Sequence, residues 1–271
     1  MRFDMHCHTK AGSIDSKLPI ERYIQILQDH DFDGLLVTDH DSYRGYKYWS
    51  ENRDKMPEDF VVLEGVEYDT KDAGHFIVIM PDDVHLRILQ IRGMKLETLI
   101  QVVHHFNGIL GPAHPFGARS SSAMFFKYMR RNPDIMKSFD FFEGFNTCET
   151  PHANEAAQEL AEKYGKPCTG GSDSHKKDYV GMAFTEFDCD IKCNNDLIEC
   201  IKGGGISAFG GTERVFLRKH KKRNSFFATY GFRTYNRGLG LIYSPYRSRK
   251  ISKLALHRPP TFDRIDGNSA K

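Results

Sequence analysis

Gly170-Gly171-Ser172-Asp173-Ser174-His175 is the stretch that decides the fold. It follows Pro167-Cys168-Thr169, and it answers His6-Cys7-His8-Thr9 at the start of the chain, which follows Phe3 and Met5. Three more sites have the same form. Thr38-Asp39-His40 closes Leu35-Leu36-Val37, Gly65-Val66-Glu67 closes Phe60-Val61-Val62-Leu63, and Ala113-His114-Pro115 closes Ile109-Leu110. An imidazole or carboxylate after strand upon strand means that strand ends converge on one mouth. In a parallel barrel that mouth is where chemistry is done.

The intervals read as helices. Pro19 opens one through Ile20, Tyr23, Ile24 and Leu27, and Ser42 caps an aromatic one reaching Asn52. Leu96, Leu99, Ile100 and Val103 mark a third, Ala153 to Tyr164 a fourth stopped by Gly165, and Asn194 to Lys202 the last. His75 to Ile79, Phe139 to Phe145 and Ile206 to Ala208 read as further strands. The unit is strand, polar loop, helix. It predicts an α/β chain with a parallel sheet closed into a barrel.

The 271 residues suffice for a stable core. No stretch approaches the ~20 apolar residues of a membrane span, and the first strand begins at once, leaving no room for a signal peptide. Cys7, Cys148, Cys168, Cys189, Cys193 and Cys200 are scattered without a CxxC pair. They read as reduced, structural thiols of a cytoplasmic protein. The charge is uneven. From Arg214 to Arg258 there are 13 Lys or Arg and no acid, which leaves 25 basic against 36 acidic residues elsewhere. Phe226, Phe227, Tyr230, Phe232, Tyr235, Tyr243 and Tyr246 interleave with that charge. The chain therefore divides into a body, 1–212, and a basic, aromatic-rich extension, 213–271. The extension suits nucleic acid, the acidic body of its own or a neighbouring chain, or an anionic membrane surface.

His6 and His8 share one face of an extended segment, a half-site for a divalent ion. With His40, Glu67, His75, His114, Asp173 and His175 the set exceeds what one ion with an open position needs. It suits two or three ions, zinc, manganese or iron, sharing a bridging carboxylate. Asp39 reads as a structural carboxylate, and Glu64, the competitor of Glu67, as facing elsewhere.

In order, HxHT at His6–Thr9, TDH at Thr38–His40, GxE at Gly65–Glu67, the strand-opening His75, HP at His114-Pro115 and SDxH at Ser172–His175 resemble the PHP (polymerase and histidinol phosphatase) family over residues 1 to about 210. The resemblance implies a distorted (β/α)7 barrel and a hydrolytic centre of two or three metals. It places His6, His8, Glu67 and Asp173 on one ion, Glu67, His75 and His114 on a second, and His40 and His175 on a third. Asp15 is the candidate further ligand, farther from His8 than in many relatives. The implied function is hydrolysis of a phosphomonoester (a nucleotide, sugar phosphate or histidinol-phosphate-like compound) by a hydroxide bridging two ions, which forms near neutral pH. Asp173 or His175 would protonate the leaving oxygen. Arg119 is the favoured phosphate contact, ahead of Lys10 and Lys176-Lys177. His104-His105 lie at the wrong end of the barrel, and Asn146 lines the pocket. The interval between His75 and His114 leaves no space for a separate lid domain, so the mouth should be open. The alternatives are a nuclease that trims nucleic-acid ends, and a PHP module that binds a partner without catalysis. A carbon–nitrogen hydrolase of the amidohydrolase type would share HxH, but no bridging lysine is evident.

Overall fold

The computed structural model describes residues 1–117, 121–214, 234 and 238–254. The strands are β1 (Arg2–Cys7), β2 (Gly34–Val37), β3 (Val61–Asp69), β4 (His75–Ile79), β5 (Ile109–Pro112), β6 (Phe142–Asn146), β7 (Cys168–Gly171), β8 (Ala183–Phe187) and β9 (Ile206–Gly211). The helices are α1 (Ile20–Gln28), α2 (Arg44–Glu51), α3 (Leu96–His105), α4 (Lys127–Arg131), α5 (Pro151–Lys163), α6 (Asn194–Lys202) and α7 (Ser244–Lys253).

Seven strands form one sheet in the order β5-β4-β3-β2-β1-β8-β9, and β6 pairs with β7 in a second. The large sheet curls, and the small one bridges its bend. Asp140, just before β6, donates its N–H to the Leu110 carbonyl of β5 at 3.0 Å, and Asp173, just after β7, donates to the His6 carbonyl of β1 at 2.9 Å.

The expectation of a parallel sheet is corrected here: the sheet is mixed. β1-β2, β2-β3 and β6-β7 are parallel, whereas β3-β4, β4-β5, β1-β8 and β8-β9 are antiparallel. The reversal has a local cause. Between β3 and β4 runs only a tight turn, in which Thr70 N–H donates to the Gly74 carbonyl at 2.9 Å and Thr70 Oγ1 accepts from Ala73 N–H at 3.0 Å. A parallel crossover needs a dozen or more residues. Gly74 closes the turn at φ +79°, which an L side chain tolerates poorly.

Three apolar clusters hold the frame. Ile20, Tyr23, Ile24 and Leu27 of α1 pack on Leu35 and Val37, the period-3.6 stripe on the sheet's outer face. Leu197, Ile198 and Ile201 of α6 pack against Phe3, Met5 and Leu63. α3 covers β4 and β5 through Leu96, Leu99 and Val103. Each fully buried aliphatic contributes about 1.5–3 kcal/mol before the entropy of ordering is subtracted. The mouth stands on this apolar base.

The reading of six reduced cysteines is also corrected: Cys189 and Cys200 form a disulfide, with Cα atoms 6.1 Å apart. β8 leads into the Cys189 loop, and α6 folds back so that Cys200 lies beside it, a pairing invisible in the linear spacing. Among the described residues the other four cysteines are free, and no helix is long and apolar enough to cross a membrane.

Of the basic extension, 215–233, 235–237 and 255–271 lie outside the described residues. α7 lies against the body. Arg247, buried, donates from Nη1 to the Arg92 carbonyl at 2.6 Å, and Ile251 and Leu254 pack against the α3 cluster.

Candidate metal centre

Glu67 is the hub. It sits near the end of β3, 1% exposed, and five imidazoles reach its carboxylate. Oε1 lies 2.7 Å from His75 Nδ1 and 2.9 Å from His114 Nε2. Oε2 lies 2.8 Å from His40 Nδ1, 3.3 Å from His8 Nε2 and 3.5 Å from His6 Nε2. Asp173 Oδ1 closes the other side, 3.2 Å from His8 Nε2 and 3.7 Å from His6 Nε2.

Backbone geometry explains the convergence. β1, β2 and β3 run parallel, so the His6-x-His8 end, the Asp39-His40 loop and Glu67 all lie at the same edge. A parallel bridge joins His40 to Glu67, and another joins Cys7 to Ser174. β4 enters from that edge, which is why its first residue, His75, is the one that contributes. His114 and Asp173 follow β5 and β7 at φ +30° and +49°. Left-handed non-glycine backbone costs ~1–3 kcal/mol and clusters at functional sites; here it turns both side chains back over the strand ends.

The donors fit divalent ions. His6 Nε2 and His8 Nε2 are 3.1 Å apart, and their outer nitrogens are already held: His6 Nδ1 by Glu143 at 2.8 Å and His8 Nδ1 by Ser13 at 3.2 Å. His114 Nδ1 is likewise held by Ser122 at 3.1 Å. An imidazole fixed at one nitrogen presents the other as a ligand. Glu67 Oε2 is buried among three rings yet has no hydrogen-bond partner. Three groups bring ligand atoms together: His6, His8 and Glu67; His40, Glu67 and His75; His8, His40 and His175. A buried carboxylate with unspent lone pairs among oriented imidazoles matches the nitrogen and oxygen set of borderline metals.

The electrostatics agree. Burial opposes charge on His6, but Glu143, Asp173 and Glu67 push its pKa well above the ordinary imidazole value. Burial opposes charge on His114 too, but its bond to Glu67 raises it to about 9. Burial would raise Glu67, yet the charges of His75, His40 and His6 hold it well below the carboxylate range. Asp173 is held low in the same way by His6 and His8. A potential that retains protons on imidazoles attracts any cation.

Asp15 reaches the rim, 3.3 Å from His175 Nε2 and 3.5 Å from His40 Nε2, and is half exposed. Asp39 accepts from Thr9 N–H at 2.7 Å and from Ser13 Oγ at 2.8 Å, tying the first loop to the second. Glu64 lies away from the hub, beside His85 at 3.6 Å. Asn146 donates to Asp173 Oδ2 at 3.3 Å. Cys7 turns to Asp4, its Sγ 3.6 Å from that carbonyl. His104 pairs with Asp140 at 2.9 Å, apart from the centre. Arg119 lies outside the described residues.

Residues 151–205, from α5 through Asp173 and His175 to α6, match the family model described as PHP-associated. The chain carries a PHP-associated segment in a PHP-like fold. Solved structures of similar fold include PsfC from Pseudomonas syringae, with 17% identity, 92% of this chain and 98% of that one covered, and a TM-score of 0.59. A two-domain protein from Bacteroides vulgatus, described as containing a predicted PHP-like metal-dependent phosphoesterase, matches at 15% identity, with 78% and 65% covered and a TM-score of 0.58. The lesion-specific endonuclease PfuEndoQ from Pyrococcus furiosus matches at 17% identity, with 78% and 59% covered and a TM-score of 0.57. The match thus spans less than two thirds of the last two proteins. No curated protein sequence matches.

Sequence reasoning gave Glu143 no role and passed over Ser13 and Ser122. Glu143 left a signal: an acid inside the apolar run Phe141-Phe142-Glu143-Gly144-Phe145 is costly to bury unless it is paired. The two serines left none, because each meets its histidine only through folding.

Proposed function

We propose that the chain is a metal-dependent phosphoesterase that hydrolyses phosphomonoesters such as a nucleotide, a sugar phosphate or a histidinol-phosphate-like compound. The observation that supports it most directly is the approach of five imidazoles to the single carboxylate of Glu67. His6, His8, Glu67 and Asp173 would hold one ion; Glu67, His75 and His114 a second; His40, His175 and Asp15 a third. Ions so held supply Lewis acidity toward phosphoryl oxygens and a water that ionises near neutral pH.

The chain's own residues do the rest. Glu143, Ser13 and Ser122 fix the imidazole tautomers. Partly exposed at the rim, His175 keeps its ring between Asp173 and Asp15, placed to carry a proton to the leaving oxygen when the third site is empty. Asp173 is the other candidate, and the weaker one, because His6 and His8 hold its carboxylate ionised. Arg119, five residues after His114, is assigned to the substrate's phosphate by sequence alone. The reading is tested by loading the protein with manganese or zinc and assaying phosphate release from monoesters beside diesters. Monoester turnover lost in Glu67→Gln supports it; metal binding with no turnover favours a binding module.

A second reading, trimming of nucleic-acid ends, draws support from the basic extension and from the endonuclease among the fold neighbours. On a 5′-phosphorylated RNA, free phosphate with an intact strand marks the first reading, and released mononucleotides mark the second.

A further inference from the structure

We infer that the outward face of α7 is a docking surface for single-stranded nucleic acid, placed to lead a strand end toward the metal centre. The helix has already committed its apolar side. Ile251 and Leu254 pack on the body, and Arg247 is 7% exposed with its guanidinium on the Arg92 carbonyl. What faces outward is Tyr246, Arg249, Lys250 and Lys253, with Tyr243 just before. Lys250 Nζ stands 5.5 Å from the centre of the Tyr246 ring. Cations for phosphates beside rings for bases are what an unpaired strand needs. The segment carries no acid from Arg214 to Arg258, so nothing within it opposes a polyanion.

Position gives the surface its purpose. Arg92, on which Arg247 rests, binds Asp41 at 2.7 Å and lies 3.6 Å from Asp69. Asp69 lies 3.9 Å from His75 Nε2, and His75 touches Glu67. α7 is therefore tied through Arg92 and Asp69 to His75 at the rim of the centre. A membrane is the poorer occupant. Leu241 and Ile242 are exposed, but the outward face of α7 has no apolar stripe to lie among acyl chains.

The inference rests on the hydrolase reading only for what happens at the strand end, so binding is measured without turnover. Fluorescence anisotropy of the full chain would be read with a short phosphorothioate-capped single strand over a salt series. The comparison is with the triple variant Arg249→Ala, Lys250→Ala, Lys253→Ala, and with Tyr246→Ala. The triple variant should bind about tenfold or more weakly, with the salt slope reduced by about 2. Tyr246→Ala should lose about fivefold or more, as expected for one stacked base. Hydrolysis of a small phosphomonoester should be unchanged in both. Equal affinity in the triple variant overturns the inference, as does wild-type binding to phosphatidylserine vesicles but not to the strand. Lost strand affinity in a chain that hydrolyses no phosphoester supports the surface and overturns the hydrolase reading instead.

Discussion

Glu143 Oε1 lies 2.8 Å from His6 Nδ1, while Oε2 of the same carboxylate accepts the backbone N–H of His114 at 2.6 Å. One buried acid thus orients a ring on β1 and pins the left-handed backbone after β5. Loss of such a partner typically costs about 10–100-fold in metal affinity. Glu143→Gln is therefore expected to weaken manganese or zinc binding by about that factor while the fold persists. Titration calorimetry with circular dichroism checks it; unchanged affinity would reduce Glu143 to packing.

Gly171 shows how closely β7 must approach β1. A Cβ there would lie 2.3 Å from His6 Cβ, 2.8 Å from its N and 2.9 Å from Glu143 Oε1. Backbone and a held ring cannot give way cheaply, so Gly171→Ala should cost about 1–3 kcal/mol and lower bound metal. Gly204→Ala is the control. Its Cβ meets nothing within 4 Å and only the φ of +78° is strained, so it should cost about 1 kcal/mol and leave metal content alone. Urea unfolding and elemental analysis separate the two.

Asp4 carries a pH signature. Burial raises its carboxyl from 3.8 to about 6, against hydrogen bonds from Ser172 and His6. Between these values the unfolded chain has released a proton that the folded chain keeps. Its contribution therefore favours folding below pH ~4 and is lost as pH rises to ~6, a swing of about 3 kcal/mol. Relative to the wild type, Asp4→Asn should gain stability by up to that amount from pH 4 to pH 7. Urea midpoints at both pH values measure it, and a pH-independent difference would refute the assignment.

Much of this cluster was legible in the chain itself, because most of its members follow apolar runs: His6 and His8, His40, Glu67, His114 and Asp173. The strand sense was not legible. Strand residues alternate alike in either direction, so only the short Thr70–Gly74 turn reveals that β4 runs backwards. Cys189 and Cys200 escaped because their pairing depends on how α6 packs. Glu143 escaped for a related reason: its partners lie on β1 and after β5, distant in sequence.

The most direct measurement takes protein stripped with chelator and restores manganese stepwise, following bound metal and phosphate release from a phosphomonoester on the same samples. Two or more ions per chain are expected, with activity rising as they bind, and both lost in Glu67→Gln. Phosphate release that persists in the stripped protein, or full metal content in Glu67→Gln, would contradict a metal centre built on Glu67.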